Sequence, residues 1–372
     1  MTKTVIRYAG GKSRAIKHIT PYVEQYDSIV SPFIGGGSLE VHWASMGKKV
    51  KGFDVFDILV DFWQTLLTRP DDLAAELKKI EPNDEVYRKI KEDLICTPQV
   101  QQMIGDWGGK GYYKRTPVPM SKLKLSAYYY FNHNTSYGPG FLGWMSKIYM
   151  DKKKWNSMAE KVEKFSCPNL QVDLASFEQV IPAYNTEPLY LDPPYYLESE
   201  EGNKMHSGVY PMKNFAVHHN SFPHEKLRDL LHSHNGPFVL SYNDCPTIRE
   251  WYGDFDLYYP KWHYSMGQGE LRLGDNRKAL QGGIQNIDKL EQKMRGFLGG
   301  GGNSSWAAKI AREVRNEAKI VRDSGGTMFE DVIRNSEKVS NLFRAVPGLN
   351  KYIPALSGLN EKDSHEILIV KK

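Results

Sequence analysis

The sequence has 372 residues, of which 40% are hydrophobic and 25% are charged, and its formal net charge is +5. No run approaches the ~18 apolar residues of a membrane helix, and the N-terminus lacks the apolar core of a signal peptide. The three cysteines are odd in number and widely spaced, which argues against a disulfide framework or a zinc knuckle and predicts a reducing compartment. That compartment is the cytoplasm, or the host cell if the chain is encoded by a phage or virus.

Short apolar runs alternate with helical patterns along most of the chain. Strands are predicted at residues 27–33, 48–56, 169–174, 187–192, 236–244 and 254–262 and at the C-terminus. A helix is predicted at residues 223–233, with Pro223 at its start. Strands separated by helices predict an α/β fold with a parallel sheet.

A glycine-rich turn, SPFIGGGS, follows the first of these strands and opens a helix. Gly35, Gly36 and Gly37 allow the backbone to approach a ligand, and the helix N-terminus offers free N–H groups to an anionic end. Asp54 ends the next strand, where a carboxylate can accept hydrogen bonds from the hydroxyl groups of a ribose. Taken alone, the turn favours a purely structural role over ligand binding, but together with Asp54 it favours an adenosine-type cofactor.

The segment RYAGGKS contains Gly11, Lys12 and Ser13, which suggests a phosphate-binding loop. That motif also requires a glycine five residues before Gly11, where this chain has Ile6. A nucleotide triphosphatase is therefore not expected.

A basic, aromatic segment occupies residues 107–154. It contains nine lysines and arginines and one acidic residue, a net charge of +8, with tyrosine, phenylalanine and tryptophan interleaved. Cations pair with phosphates and flat rings stack on bases, so the segment favours nucleic-acid binding. A solvated basic surface is the alternative.

The segment LYLDPPYYLES places a carboxylate and two prolines where a strand ends. Pro193 and Pro194 have no N–H, so the backbone beside Asp192 offers only acceptors. Two acceptors and no donor suit a group with two N–H donors, such as an exocyclic amine. Tyr195 adds a ring face on which a flat base can stack.

An insertion of about eighty residues, 283–362, precedes the last predicted strand. Residues 284–362 carry a net charge of +4, and four glycines at 299–302 favour a hinge. The segment is either a solvated helical appendage or a mobile arm that grips DNA outside the target site.

Five histidines at positions 218, 219, 224, 232 and 234 lie near one another in the sequence. No carboxylate or cysteine completes a metal-binding set with them, so exposed or core positions are expected and no metal is required.

The motifs YAGGKS, PFIGGGS, GFD and DPPY, in this order and with a basic segment before the last, resemble the DNA adenine methylase family. The resemblance covers most of residues 5–280 and the final strand. It implies an S-adenosylmethionine-dependent enzyme that methylates the N6 amine of adenine in duplex DNA. The implied fold is a Rossmann-like methyltransferase sheet with an inserted target-recognition domain and a helical insertion before the last strand. The catalytic domain then comprises residues 1–57, 155–282 and 363–372, with target recognition at 58–154 and the insertion at 283–362.

The resemblance also implies roles for individual residues. Catalysis falls to Asp192, Pro193, Pro194 and Tyr195. Cofactor binding falls to Tyr8, Gly11, Lys12, Phe33, Gly35, Gly37, Asp54, Asp173, Leu174 and Asp192. DNA binding is expected from Lys122, Lys124, Asn132, Tyr137, Lys152, Lys153 and Lys154.

The expected mechanism begins with a target adenine flipped out of the duplex. The Asp192 carboxylate and the Pro193 carbonyl would accept the two amine protons and stabilise the charge that grows on nitrogen. An RNA adenine methylase and a non-catalytic DNA-binding protein remain open as alternatives. The sequence leaves open whether the protein works with a cognate restriction endonuclease. It also does not determine the oligomeric state.

Overall fold

The computed structural model describes residues 3–8, 10–107, 115–136, 140–196, 222–260, 316–317, 320 and 366–372. The chain divides into two units, Met1–Lys261 with His365–Lys372 and Trp262–Ser364, and the first of them is described below. The predicted insertion at 283–362, apart from three residues, lies outside the described residues, as does Tyr137. No helix in the described ranges is long and apolar enough to cross a membrane.

Seven strands in the described part of the chain form one sheet. They are β1 (Ser28–Ser31), β2 (Lys49–Asp54), β3 (Leu170–Leu174), β4 (Leu189–Leu191), β5 (Phe238–Asn243), β6 (Asp256–Tyr258) and β7 (Glu366–Lys371). The spatial order is β3-β2-β1-β4-β5-β7-β6, and β7 runs in the direction opposite to the other six strands. The predicted α/β class with a mostly parallel sheet is confirmed.

The sheet reverses its winding between β1 and β4, which are neighbours. From β1 the chain adds β2 and β3 on one side, whereas β4 and β5 continue on the other. A crevice opens at such a point beside the carboxyl ends of the strands, and open α/β sheets bind ligands there. Both the glycine turn after β1 and the Asp-Pro-Pro-Tyr segment after β4 lie at this edge.

Eleven α-helices lie in the described ranges. They are α1 (Ile16–Ile19), α2 (Ser38–Ser45), α3 (Asp57–Thr68), α4 (Pro70–Lys78), α5 (Asp84–Ile95), α6 (Pro98–Trp107), α7 (Lys122–Thr135), α8 (Lys152–Glu163), α9 (Phe177–Ala183), α10 (His224–Ser233) and α11 (Pro246–Trp251). Polar side chains begin several of them: Asn83 accepts from the Val86 amide at α5, and Asp151 accepts from two amides at α8. The predicted helix at 223–233 is α10, which begins one residue after Pro223.

Aromatic packing joins the helices of the basic region to one another. α3 packs against both β3 and α7, and α4 packs against α7 and α8. Phe62 of α3 stacks on Tyr130 of α7 with ring centroids 5.4 Å apart, and Phe131 meets Trp155 of α8 edge-on at 5.0 Å. Many of the aromatics that the sequence offered for base stacking are thus buried in this helical layer.

Candidate active site

The glycine turn between β1 and α2 has a backbone that only glycine adopts readily. Gly35 and Gly37 have φ values of 45° and 60°, in the left-handed region. A Cβ atom on Gly37 would lie 2.6 Å from the Trp63 ring, whose indole N–H donates to the Gly35 carbonyl at 3.0 Å. The turn therefore follows a fixed path and presents backbone rather than side chains at the carboxyl end of β1.

Tyr8 closes one side of this turn. Its ring lies against Gly35 and Gly36, and a Cβ on Gly36 would come within 2.4 Å of the Tyr8 Cβ. The preceding residue, Arg7, is hydrogen-bonded to α7. Its backbone amide donates to the Asn134 side chain at 2.6 Å, and the His133 ring contacts its carbonyl oxygen at 2.7 Å. The N-terminal segment thus connects the predicted cofactor loop to the helix of the basic region.

Asp54, at the end of β2, is oriented by the backbone on both of its oxygens. The Gly35 amide donates to Oδ2 at 3.1 Å and the Phe56 amide to Oδ1 at 3.0 Å. Burial raises the pKa of Asp54, and these two amides partly offset the effect. The carboxylate is therefore fixed beside the glycine turn while it stays partly exposed.

Three other predicted cofactor residues lie along the same edge. Asp173 and Leu174 end β3, where Leu174 is aligned with Asp54 of β2. Asp173 accepts from the Gln171 side chain at 2.6 Å, whereas the Leu174 side chain is exposed. Phe33 follows β1 and packs its ring against Phe177 of α9 at 5.6 Å. The predicted set is gathered at the carboxyl ends of β1, β2 and β3, which is a geometry that suits an extended adenosine-containing ligand.

The Asp-Pro-Pro-Tyr segment is held at both of its ends. Asp192 accepts from the Ser241 hydroxyl of β5 at 3.2 Å. At the other end, the Tyr196 amide donates to the Asn243 side chain at 2.9 Å, and the Asn243 amide group donates back to the Tyr196 carbonyl at 2.7 Å. These bonds fasten the prolines to the end of β5, so the acceptors of the segment keep one position.

Lys12 reaches Asp192 from the N-terminal side of the chain. It begins a short 3-10 turn, Lys12–Arg14, and its side chain is buried. Its ammonium lies 2.8 Å from each Asp192 oxygen, 3.2 Å from the Gly10 carbonyl and 5.2 Å from the centroid of the Tyr195 ring. The cofactor-side residue Lys12 and the catalytic residue Asp192 therefore belong to one site, although 180 residues separate them in sequence.

Two further carboxyl groups adjoin this ion pair, and the sequence analysis did not predict them. Glu366 begins β7 and its Oε1 atom lies 3.7 Å from the Lys12 ammonium. Glu40 of α2 accepts from the Ser31 hydroxyl at 2.7 Å. Burial raises the pKa of each to about 7, and the charge of Asp192 contributes to both shifts.

Tyr195 remains a phenol at neutral pH. Burial raises its pKa well above the usual value, and the charges of Glu366 and Asp192 raise it further. Its ring lies 6.2 Å from that of Tyr242 on β5. Tyr195 therefore offers a ring face and a hydroxyl donor at the site, but no charge.

Of the predicted DNA-binding residues on α7, one is buried and two lie at the surface. Asn132 is fully buried, and its side-chain oxygen accepts from the Leu142 amide at 2.6 Å, which holds a residue with a φ of 57°. Lys122 pairs with Asp61 at 2.7 Å, while Lys124 lies over the Tyr128 ring at 5.1 Å. In this conformation Asn132 shapes the loop after α7 and presents no polar group at the surface.

The lysines at 152–154 form the exposed first turn of α8. Lys152 pairs with Glu81 at 2.5 Å, and Lys154 donates to the Ile148 carbonyl at 3.4 Å. Cations at a helix N-terminus oppose the helix dipole, so three in succession do not stabilise α8. Their position is better suited to an external anion.

Exposed apolar side chains precede this lysine turn. Trp144 is 72% exposed, and Ile148 and Met150 are also exposed. The ammonium of Lys91 lies over the Trp144 ring at 4.8 Å. An exposed tryptophan in a cationic setting is a signal that the sequence contained, but composition alone did not separate it from the buried aromatics around it.

The histidines of the later segment have internal partners. His224 bonds to the Tyr242 hydroxyl, His232 contacts the Arg228 carbonyl at 2.9 Å and His234 the Glu187 carbonyl at 3.1 Å. Within the described ranges, no three or more His, Cys, Asp or Glu side chains form a group that could hold a metal ion.

Comparison with protein families identifies a match over most of the chain. A family model described as D12 class N6 adenine-specific DNA methyltransferase matches residues 8–266, which is more than half of the chain. A search of curated proteins finds no match.

Proposed function

Because this chain belongs to the D12 class N6 adenine-specific DNA methyltransferase family, we propose that residues 192–195 form the wall against which its target adenine is methylated. The observation that carries the proposal is the position of Asp192. It follows β4 at the winding reversal of the sheet, in a segment fastened to β5 at both ends. Enzymes of this family act on adenine in DNA, so the alternatives of RNA methylation and of binding without catalysis are not needed.

S-adenosylmethionine is the methyl donor that the family implies, and the chain has residues that fit it. Asp54 is a carboxylate held in place by backbone amides, as a ribose diol requires. The Gly35–Gly37 turn packs so closely against Tyr8 and Trp63 that it has no space for side chains, and it can offer backbone groups to a ligand. When bound, S-adenosylmethionine supplies an electrophilic methyl group on its sulfonium sulfur.

The protein then has to present the adenine amine to that methyl group. The target base lies inside the duplex and must be flipped out to reach the crevice, where Tyr195 offers a ring face. The Asp192 carboxylate and the Pro193 carbonyl accept hydrogen bonds from the two N–H groups of the amine. Because the prolines are rigid and the segment is fastened to β5, these acceptors are already aligned before the reaction.

Charge stabilisation is the main catalytic contribution of these residues. The amine lone pair is delocalised into the ring, so N6 is a poor nucleophile until a positive charge on it is stabilised. Bound S-adenosylmethionine would supply the methyl group and keep the electron pair of its carbon–sulfur bond, so the positive charge would pass to N6, beside the Asp192 carboxylate. One N6 proton then passes to the Asp192 carboxylate and on to water.

The DNA is proposed to lie against the lysine turn of α8. Charge reversal by Lys152→Glu, Lys153→Glu and Lys154→Glu together is expected to weaken binding to every duplex sequence. The slope of log K against log salt concentration should become less steep by about two to three units, since each lost phosphate contact removes about 0.9. Fluorescence anisotropy with labelled duplexes, titrated at several salt concentrations, measures both quantities.

The matched control for this test lies on the same helix. Lys161→Glu with Lys164→Glu changes charge near the other end of α8, roughly 14 Å away by the helical rise, and should leave the salt slope unchanged. A triple variant that keeps the wild-type slope would mean that the lysine turn faces away from DNA. The chemical half of the proposal is tested at Asp192.

A further inference from the structure

Glu366 lies at the active site because β7 is antiparallel. A strand that runs against its neighbours begins at the edge where they end, and Glu366 is aligned with Asn243, the last residue of β5. Asn243 is also the residue that fastens Tyr196. The first residue of β7 is thereby placed behind the Asp-Pro-Pro-Tyr segment, and its side chain is only 3% exposed.

A carboxyl group in this position is costly unless it has partners. Among the described residues, the hydrogen-bonding groups that face the Glu366 carboxyl are the Tyr195 hydroxyl and the Lys12 ammonium, and neither reaches ideal hydrogen-bond geometry. The nearest charge is the Lys12 ammonium at 3.7 Å, which is nearly 1 Å longer than a typical charged hydrogen bond of ~2.8 Å. Glu366 is therefore a buried acceptor whose capacity is only partly used.

Lys12 lies between two carboxyl groups at unequal distances. Its ammonium is 2.8 Å from both Asp192 oxygens and 3.7 Å from Glu366. A cation that holds both oxygens of Asp192 withdraws the negative charge that a target amine needs. A small movement of the ammonium towards Glu366 would release that charge without leaving a buried cation unpaired.

We propose that Glu366 is a positioning residue for methyl transfer, which acts as the second ion-pair partner of Lys12. When the adenine amine contacts Asp192, the ammonium moves about 1 Å towards Glu366, and the Asp192 carboxylate faces the amine with more of its charge. This inference rests on the proposed role of Asp192. It adds an acidic residue from the last strand to the reaction, and Lys12 becomes the mobile part of the site.

The pH dependence of this contact depends on which of the groups that face Glu366 change their charge near neutral pH. These groups are Lys12 in the 3-10 turn, Tyr190 of β4, and Asp192 and Tyr195 in the segment after β4. Burial raises the pKa of both tyrosines well above the usual value, so they stay protonated. Glu366, with a pKa raised to about 7, gains its charge as the pH rises through neutrality. Only the charged form attracts Lys12, so methyl transfer should be slower on the acid side.

The test is a single-turnover measurement of labelled-methyl transfer to duplex DNA between pH 5.5 and 8.5. The wild-type rate should rise through an apparent pKa near 7. Glu366→Gln keeps the shape of the side chain and removes its charge. It should lower the rate at pH 8 by about ten-fold or more and flatten the acid limb, because a hydrogen bond to a charged group is lost. Affinities for the cofactor and for DNA should stay within about two-fold, and Glu366→Asp should restore part of the rate.

Glu40→Gln is the matched control. Glu40 is also buried, and burial together with the charge of Asp192 raises its pKa to about 7, but its hydrogen-bond partner is Ser31. The Glu40→Gln protein should keep the acid limb. Wild-type rate and pH profile in a folded Glu366→Gln protein would overturn the inference, as would an equal loss of cofactor affinity and rate. Both outcomes leave the proposed function standing as long as the wild-type protein methylates DNA and Asp192 is required.

Discussion

Asp192→Ala is expected to reduce methyl transfer to duplex DNA to less than a tenth of the wild-type rate, with the fold retained. The change removes the only side-chain acceptor of the Asp-Pro-Pro-Tyr segment that contacts Lys12 and Ser241. Without it, the charge that develops on N6 loses its main stabilising partner, and losses of one preorganised group commonly cost about 100-fold or more. Incorporation of tritiated methyl groups measures the rate, and circular dichroism measures folding.

The fold should survive because Lys12 is not left without a counter-charge. Glu366 lies 3.7 Å from its ammonium and can take over the pairing. Asp256→Ala is a suitable control, since Asp256 lies on the edge strand β6 and pairs with Lys372 at 3.2 Å. The control should retain full activity. A folded Asp192→Ala protein with more than a tenth of the wild-type activity would contradict the proposed role.

Asp54→Ala is expected to weaken S-adenosylmethionine binding about ten- to over a hundred-fold. A charged acceptor contributes ~1.5–3 kcal/mol to a hydrogen bond, and each 1.4 kcal/mol is about a factor of ten in affinity. The loss should appear in the dissociation constant measured by calorimetric titration, while duplex binding changes little. Asp54→Asn, which keeps one acceptor oxygen, should fall between the wild type and Asp54→Ala.

Asp54 also holds the glycine turn, so its replacement needs a structural control. The Gly35 and Phe56 amides both donate to it, and thermal unfolding of each variant reports how much of the turn is lost. Asp71→Ala removes an exposed carboxylate of α4 and should leave cofactor affinity unchanged. An unchanged dissociation constant in Asp54→Ala would place the ribose elsewhere.

The strands and the two main motifs could be predicted because their physical signals are local. Strands of a parallel sheet are buried on both faces and therefore read as short apolar runs, as β1, β4 and β5 do. Glycine turns and prolines mark where such strands end. The observed strands are shorter than predicted by one to several residues, since only the residues paired in the sheet are counted, as with Asp256–Tyr258 inside the predicted 254–262.

Glu366 could not be found in this way. The final strand was predicted from its apolar run, but nothing in that run says which way it crosses the sheet. Had it run parallel, Glu366 would lie at the opposite edge, far from Asp192. Strand direction is a property of the whole topology, and it decides whether an acidic residue at a strand end is remote or belongs to the site.

For the basic, aromatic segment at 107–154, the sequence was a poorer guide to which residues are exposed than it was to the position of the motifs. Lysines and aromatics together suggested a nucleic-acid surface, yet Tyr129, Tyr130 and Phe131 are buried between helices. α7 carries aromatic and polar residues on every side, so its sequence does not show which face turns inward. The role of Asn132 at DNA stays a prediction, and the structure gives it an internal contact with Leu142.

Nucleoside analysis of the methylated product tests the central claim most directly. The purified protein, incubated with labelled S-adenosylmethionine and either a mixed-sequence duplex DNA or a structured RNA, should label the DNA. Enzymatic digestion and mass spectrometry should then find the label in N6-methyldeoxyadenosine, and Asp192→Ala should give less than a tenth of the wild-type amount. Label in a methylated cytosine, in another position of adenine, or in the RNA rather than the DNA would contradict the account.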